Sequence, residues 1–300
     1  MAPVTPQEMK PPCPLAVKWE TKQAPSASFI LLLPEACPVN ITDYPIDSEH
    51  YRSTTTQDER IRFLILHYTA ENFSQSMANL AGDTATVSVH YVIPDPDEVT
   101  YLQAGFSGNR IFALVDEGRR AWHAGVSQWQ GRTNLNDTSI GIEIVNQASG
   151  NTDGAMTFPP FSEQQIQMTI ALCKDVLSRH PTITARQVLA HADIAWARRR
   201  DPGPAFPWQR LYEAGIGAWP DAADVTAFTQ RFEREGLPSG DDMKTSFSRY
   251  GYSVPNGLSS SDYTMLVVCF QMHFRPARYD GRVDIETAAI LYALLKKYVG

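Results

Sequence analysis

Ile61-Arg62-Phe63-Leu64-Ile65-Leu66-His67 is the stretch that decides the fold class. Phe63 to Leu66 form a continuous apolar run between charged Arg62 and polar Thr69. Such a run reads as a strand buried on both faces, as happens when helices cover a sheet from two sides. Outward from it, the spacing predicts strands over Val87 to Ile93, Arg110 to Val115 and Ser139 to Val145. In the last of these, Ile140, Ile142 and Ile144 point one way, and Gly141, Glu143 and Val145 the other. Ser162 with Gln165 three residues on is a capping-box pattern, and Ile166, Ile170, Cys173 and Leu177 give the helix behind it a buried stripe. Val188 to His191 returns as a short strand. Strands and helices in this order predict an α/β fold, a mixed central β-sheet flanked by helices.

After Trp219-Pro220-Asp221 only helical patterns remain. Asp241 to Tyr250 makes one helix, and Met265, Val268, Cys269 and Met272 mark a second. Asp284 caps a third, with Ala288, Tyr292 and Leu295 on its stripe and Lys296 and Lys297 in its last turn. A small all-α three-helix domain over 225–300 behind a larger domain over 46–221 is the expected division, since 300 residues exceed what one ordinary core needs. Residues 1–45 form a Pro-rich extension of unassigned role, with strand patterns at Leu15 to Glu20 and Phe29 to Leu33, read either as a partner-docking or delivery segment or as a structural arm wrapping the larger domain. Cys13 and Cys37 flank that segment and can pair in an oxidising compartment. Cys173 and Cys269 lie in apolar helical patterns and read as buried free thiols.

The formal charge of -7 excludes a nucleic-acid partner, because phosphate binding needs a basic surface. No stretch approaches the roughly 20 apolar residues of a membrane span. Met1 to Pro14 offers neither the basic start nor the apolar run of about 7 to 15 residues of a secretory signal. The oligomeric state is left open by the sequence.

His67 and His191 each end a predicted strand, where catalytic groups on α/β sheets commonly project. Either alone reads as readily as a satisfied core histidine. Asp201, in Asp201-Pro202-Gly203-Pro204, reads equally as a turn-starting residue. Together, two imidazoles and a carboxylate are a recurrent catalytic zinc set, with a fourth position left for water. Glu143, acidic in an apolar strand, is the candidate base or else a solvated carboxylate. Of Arg198, Arg199 and Arg200, one can reach a developing negative charge.

As a set these residues resemble the N-acetylmuramoyl-L-alanine amidases of the AmpD/AmiD type. The resemblance runs through Leu66-His67-Tyr68-Thr69-Ala70, Trp122-His123-Ala124-Gly125 and Leu135-Asn136-Asp137-Thr138-Ser139-Ile140-Gly141-Ile142-Glu143. It continues through Ala190-His191-Ala192-Asp193-Ile194-Ala195, Asp201-Pro202-Gly203-Pro204 and Gly215-Ile216-Gly217-Ala218-Trp219. It implies zinc (Zn2+) as cofactor held by His67, His191 and Asp201, with Glu143 as catalytic acid/base. The family's remaining catalytic position, usually lysine, is Arg199 here, and the two side chains are not interchangeable. The resemblance also implies substrate-holding roles for His90, Trp122, His123, Asn136 and Asp137. Residues 225–300, with Phe270-Gln271-Met272-His273-Phe274-Arg275-Pro276 and Tyr279-Asp280-Gly281, look like the family's three-helix peptidoglycan-binding module. The implied reaction is hydrolysis of the N-acetylmuramic acid–L-alanine amide of peptidoglycan or muropeptides, in the periplasm or on the cell wall. Two other readings stand beside it. A peptidoglycan-recognition protein would bind without cutting, and a signal-independently secreted toxin, stored in the cytoplasm, would need a secretion apparatus and an immunity protein as partners.

Overall fold

The computed structural model describes residues 59–150 and 156–300, so the predicted strands at 15–20 and 29–33 and the Cys13–Cys37 pairing lie outside the described residues. In chain order the elements are β1 Phe63–Tyr68, α1 Phe73–Ala81, β2 Tyr91–Ile93, α2 Val99–Gln103, β3 Phe112–Ala113, β4 Gln128–Trp129, β5 Arg132–Thr133, β6 Ser139–Ile144, β7 Ser149–Gly150, β8 Met156–Thr157, α3 Glu163–Arg179, β9 Val188–Ala190, α4 His191–Ile194, α5 Trp208–Glu213, α6 Ala222–Glu235, α7 Gly240–Tyr250, α8 Ser260–Phe274 and α9 Ile285–Tyr298. The central sheet has the order β3-β2-β6-β1-β9. The three pairings among β2, β6, β1 and β9 are parallel, and β3 joins the β2 edge antiparallel. This is the mixed sheet that the sequence predicts.

Phe63, Leu64, Ile65 and Leu66 are all buried, so both faces of β1 are covered, as their unbroken apolar run requires. Helix α3 starts where expected: Ser162 Oγ accepts from Gln165 N (3.3 Å), and Gln165 Oε1 accepts from Ser162 N (3.0 Å). Ile166, Leu172, Cys173 and Val176 then join the sheet's core. The parallel register sets His67 beside Glu143 and Glu143 beside Val92, at the carboxyl ends of β1, β6 and β2. Open α/β sheets bind ligands beyond that edge.

Three predicted strands are shorter than expected. The strand over 87–93 begins only at Tyr91, because the Gly141 N–H donates to His90 Nδ1 (3.0 Å) in place of a strand carbonyl. The strand over 110–115 is reduced to Phe112–Ala113. His191 does not close β9 but opens the short helix α4.

The C-terminal region contains four helices, not three. The extra one, α6, is largely exposed and buries Phe232, with Val225 and Phe228 partly buried, a single narrow stripe that composition alone does not flag. Helix α8 is buried almost all round, through Leu266, Val267, Cys269, Phe270 and Phe274, which erases the one-sided pattern that Met265, Val268, Cys269 and Met272 suggest. The expected boundary near residue 221 is not a boundary of the core. One apolar cluster runs from β1 through Trp129, Trp196 and Trp208 to Phe247, Phe270 and Leu294. Gly251 approaches the Trp129 ring so closely that a Cβ there would lie 2.6 Å from it. Arg186, just before β9, donates to the carbonyls of Arg249, Tyr250 and Tyr298. Cys173 and Cys269 are buried free thiols, as predicted. Among the described residues no helix is long and apolar enough to cross a membrane.

Candidate metal centre and active-site cleft

His67 projects from the end of β1, His191 from the first turn of α4, and Asp201 from the loop that follows. The loop is tied back to α4 by the Ala192 N–H, which donates to the Asp201 carbonyl (2.9 Å). This brings His67 Nδ1 and His191 Nδ1 to 3.0 Å from each other and each to 2.9 Å from Asp201 Oδ2. All three side chains are buried.

The donor chemistry fits a small cation. Zinc bonds of about 2.0–2.1 Å require ligand–ligand edges of roughly 3.3 Å in a tetrahedron, and side-chain shifts of a few tenths of an ångström supply them. The proton on His191 can be placed from its neighbours. Arg198 NH2 lies 3.3 Å from His191 Nε2 but closer to the carbonyls of Ala124 (2.6 Å) and Val126 (2.8 Å), the stronger acceptors for its two hydrogens. His191 Nε2 therefore donates to the Ala124 carbonyl (3.1 Å), which leaves Nδ1 bare and facing Asp201. Burial, and then the neighbouring His191, push the His67 pKa down to about 4, so this ring is neutral near pH 7. Burial pushes Asp201 up, but His191 and His67 outweigh it and hold the carboxyl well below its usual range.

Beyond the triad opens a cleft of about 580 Å³ lined by Tyr68, Trp122, Glu143, Met156, Arg198 and Arg199, among others. Glu143 Oε2 is buried without a hydrogen-bond partner among the described residues. Burial first, and the negative Asp201 second, raise its pKa well above the ordinary carboxylate value, with Arg199 pulling the other way. A half-buried carboxyl with an unpartnered inner oxygen, beside three converging candidate ligands, is a group poised to exchange protons.

The three arginines divide cleanly. Arg198 clamps the 124–126 carbonyls. Arg200 turns inward, donating to the carbonyl of Trp196 (2.7 Å) and reaching the sulfurs of Met265 and Cys269. Arg199 is exposed on the cleft, and its side chain makes no hydrogen bond among the described residues.

The five residues expected to hold substrate fall into two groups. Trp122 is 52% exposed and lines the cleft, with the Arg120 guanidinium 4.0 Å over its ring. His123 reaches the cleft's floor, but its ring is mostly enclosed. The other three stand in the scaffold. His90 is fully buried with Nδ1 on Gly141 N and Nε2 on the Arg119 carbonyl (3.3 Å). Asn136 Oδ1 accepts from the backbone of His123 (3.0 Å) and Ala124 (2.7 Å), and so shapes the turn that carries Trp122. Asp137 lies outside the cleft lining and pairs with Arg120 (2.7 Å), the residue over Trp122.

Sequence reasoning passed over Asp193, two residues after His191. Its Oδ2 accepts from Ala190 N (2.8 Å) and His273 Nδ1 (2.7 Å), its Oδ1 from Tyr252 OH (2.6 Å). The C-terminal region thus grips the turn that presents the candidate ligand His191. Its bond to Ala190 N is local, but the partners that give it a role, Tyr252 and His273, lie 59 and 80 residues away.

Residues 57–204 match the domain family described as N-acetylmuramoyl-L-alanine amidase. The chain is 41% identical over 259 residues to the N-acetylmuramoyl-L-alanine amidase AmiD of Escherichia coli, covering 84% of this chain and 91% of AmiD. It belongs to the N-acetylmuramoyl-L-alanine amidase family. Among solved structures, Pseudomonas aeruginosa AmpDh3 in complex with anhydromuramic pentapeptide superposes with a TM-score of 0.82 at 51% identity, over 85% of this chain and 99% of that one. The complex of E. coli AmiD with anhydro-N-acetylmuramic acid-L-Ala-D-gamma-Glu-L-Lys gives 0.73 at 41% identity, over 84% and 97%. The amidase is therefore a hydrolase of the mixed α/β class that the sequence predicts.

Proposed function

We propose that this amidase uses one zinc ion, held by His67 Nδ1, His191 Nδ1 and Asp201 Oδ2, to hydrolyse the amide between N-acetylmuramic acid and L-alanine in peptidoglycan or its fragments. The observation that carries the reading is the convergence of the three ligand atoms at 2.9–3.0 Å beside the unpartnered carboxyl of Glu143. The substrate class follows from the family and from the muropeptides named in the AmpDh3 and AmiD complexes.

A zinc ion in this set supplies Lewis acidity to the scissile carbonyl and lowers the pKa of water at the open position. The chain's own residues do the rest. Glu143 takes the proton of the attacking water and hands it to the leaving amine nitrogen, for which its raised pKa suits it. Arg199, free of other hydrogen bonds among the described residues, offers its guanidinium to the developing oxyanion. Trp122 presents an exposed aromatic face to the sugar. The C-terminal region contributes to wall contact through Tyr279 in the α8–α9 loop, whose ring stands 6.3 Å from Phe158, itself 6.3 Å from the cleft residue Tyr68.

The test is mass spectrometry of products from a soluble anhydro-muropeptide and from intact sacculi. The reading requires a free stem peptide beginning with L-alanine and an unsubstituted muramic acid. Cleavage within the peptide or the glycan would refute it. Glu143→Gln should bind zinc at unchanged stoichiometry and lose about 10²- to 10⁴-fold in rate.

A further inference from the structure

We infer that His123 and Ser139 are positioning residues that set the tautomer of the metal ligand His67 through a directed chain of hydrogen bonds. The inference rests on the zinc reading above and goes beyond it. His67 Nε2 lies 3.0 Å from His123 Nδ1, and His123 Nε2 lies 3.1 Å from Ser139 Oγ. Ser139 Oγ in turn lies 2.6 Å from the Leu135 carbonyl.

The direction of the chain is fixed from its far end. Two oxygens at 2.6 Å must share a proton, and a carbonyl has none, so the Ser139 hydroxyl donates to Leu135. Ser139 Oγ can then only accept from the ring, which places the His123 proton on Nε2. A neutral His123 so protonated has a bare Nδ1, and that nitrogen can only accept from His67 Nε2–H. His67 is left with its lone pair on Nδ1, aimed at His191 Nδ1 and Asp201 Oδ2. The opposite polarity would put a proton on His67 Nδ1, where a cation must bind.

Burial and shape support the same role. His67, His123 and Ser139 are 1%, 8% and 1% exposed, so water does not compete for these bonds. The His123 ring lies against Gly141, where a Cβ would come within 2.6 Å of it, and its backbone N–H is held by Asn136. Metal-bound histidines usually donate their second nitrogen to a carboxylate, carbonyl or water. Here the acceptor is a second histidine, which carries the proton order of a serine to the ligand. His123 thus acts through His67 as well as bordering the cleft.

The experiment has two arms on the zinc-loaded full chain. In ¹⁵N NMR, a scalar coupling across the hydrogen bond should join His67 Nε2 to His123 Nδ1, with the His123 proton on Nε2. A His123 proton found on Nδ1 would overturn the inference. In chelator competition, His123→Leu should weaken zinc binding by about 10- to 100-fold, and His123→Asn, which keeps an acceptor near the Nδ1 position, should recover most of it. Ser139→Ala, a small change that keeps the result readable should the leucine variant fail to fold, should weaken zinc by about 10-fold. Wild-type affinity in Ser139→Ala and His123→Leu would also overturn it. A wild-type chain that binds no zinc would instead refute the underlying metal reading.

Discussion

Replacing Tyr252 with Phe tests whether the C-terminal helices belong to the catalytic unit. The substitution deletes one hydroxyl, whose 2.6 Å bond to Asp193 Oδ1 is buried. The ring remains, and with it the edge contact to Trp129 at 4.9 Å, so no cavity opens. What is lost is a hydrogen bond to a carboxylate, worth about 1.5–3 kcal/mol, with the stranded oxygen unable to recruit water. For a unit of this size each kcal/mol moves the midpoint by about 2–4 °C, so thermal unfolding followed by circular dichroism should shift down by about 3–12 °C. The turnover rate well below the transition should change little, because Tyr252 does not line the cleft. A midpoint within about 1 °C of wild type would mean that the Tyr252 hydroxyl does not tie Asp193 to the C-terminal region, and that link between the α4 turn and the helices would fail.

Arg199→Ala should lower kcat/KM by about 10²- to 10³-fold with zinc content unchanged, and Arg199→Lys should retain more of the rate. Arg200→Ala should instead lower the unfolding midpoint, since that guanidinium is spent on the Trp196 carbonyl and the α8 sulfurs; equal kinetic losses at both positions would contradict the division. Burial pushes Glu117 up, but bonds from Arg179, His180 and Tyr91 prevail and hold its pKa at about 2. A depressed carboxylate stabilises above its ordinary pKa and loses that contribution as pH falls through the folded value. Glu117→Gln should therefore cost about 1–2 kcal/mol in urea melts at pH 7, a gap that closes between about pH 4.5 and pH 2. A gap of the same size at pH 3 and pH 7 would refute the assignment.

Much of this was legible in the chain because the relevant signals are local. The apolar run of β1, the alternation of β6 and the Ser162 capping box each report on residues a few positions apart. The candidate metal set was legible as a type of chemistry, since two histidines and an aspartate at element ends have few other uses in concert. What stayed hidden depends on contacts made across the fold. His90 reads like a cleft histidine until its Nδ1 is seen on Gly141 N, 51 residues away. Arg198, Arg199 and Arg200 are indistinguishable as a string, and only the carbonyls and sulfurs around them show that Arg198 and Arg200 are tied down while Arg199 keeps its guanidinium for the cleft. The boundary near residue 221 was drawn where strand patterns stop, yet cores do not end where sheets do, and Trp129 packs on Tyr250 and Tyr252 across it.

The most direct measurement is anomalous diffraction at the zinc edge from crystals of the full chain grown with zinc. One peak should stand within about 2.0–2.2 Å of His67 Nδ1, His191 Nδ1 and Asp201 Oδ2, with the fourth direction open to the cleft beside Glu143. No peak at that place, or an ion bound through either Nε2, would contradict the account at its centre.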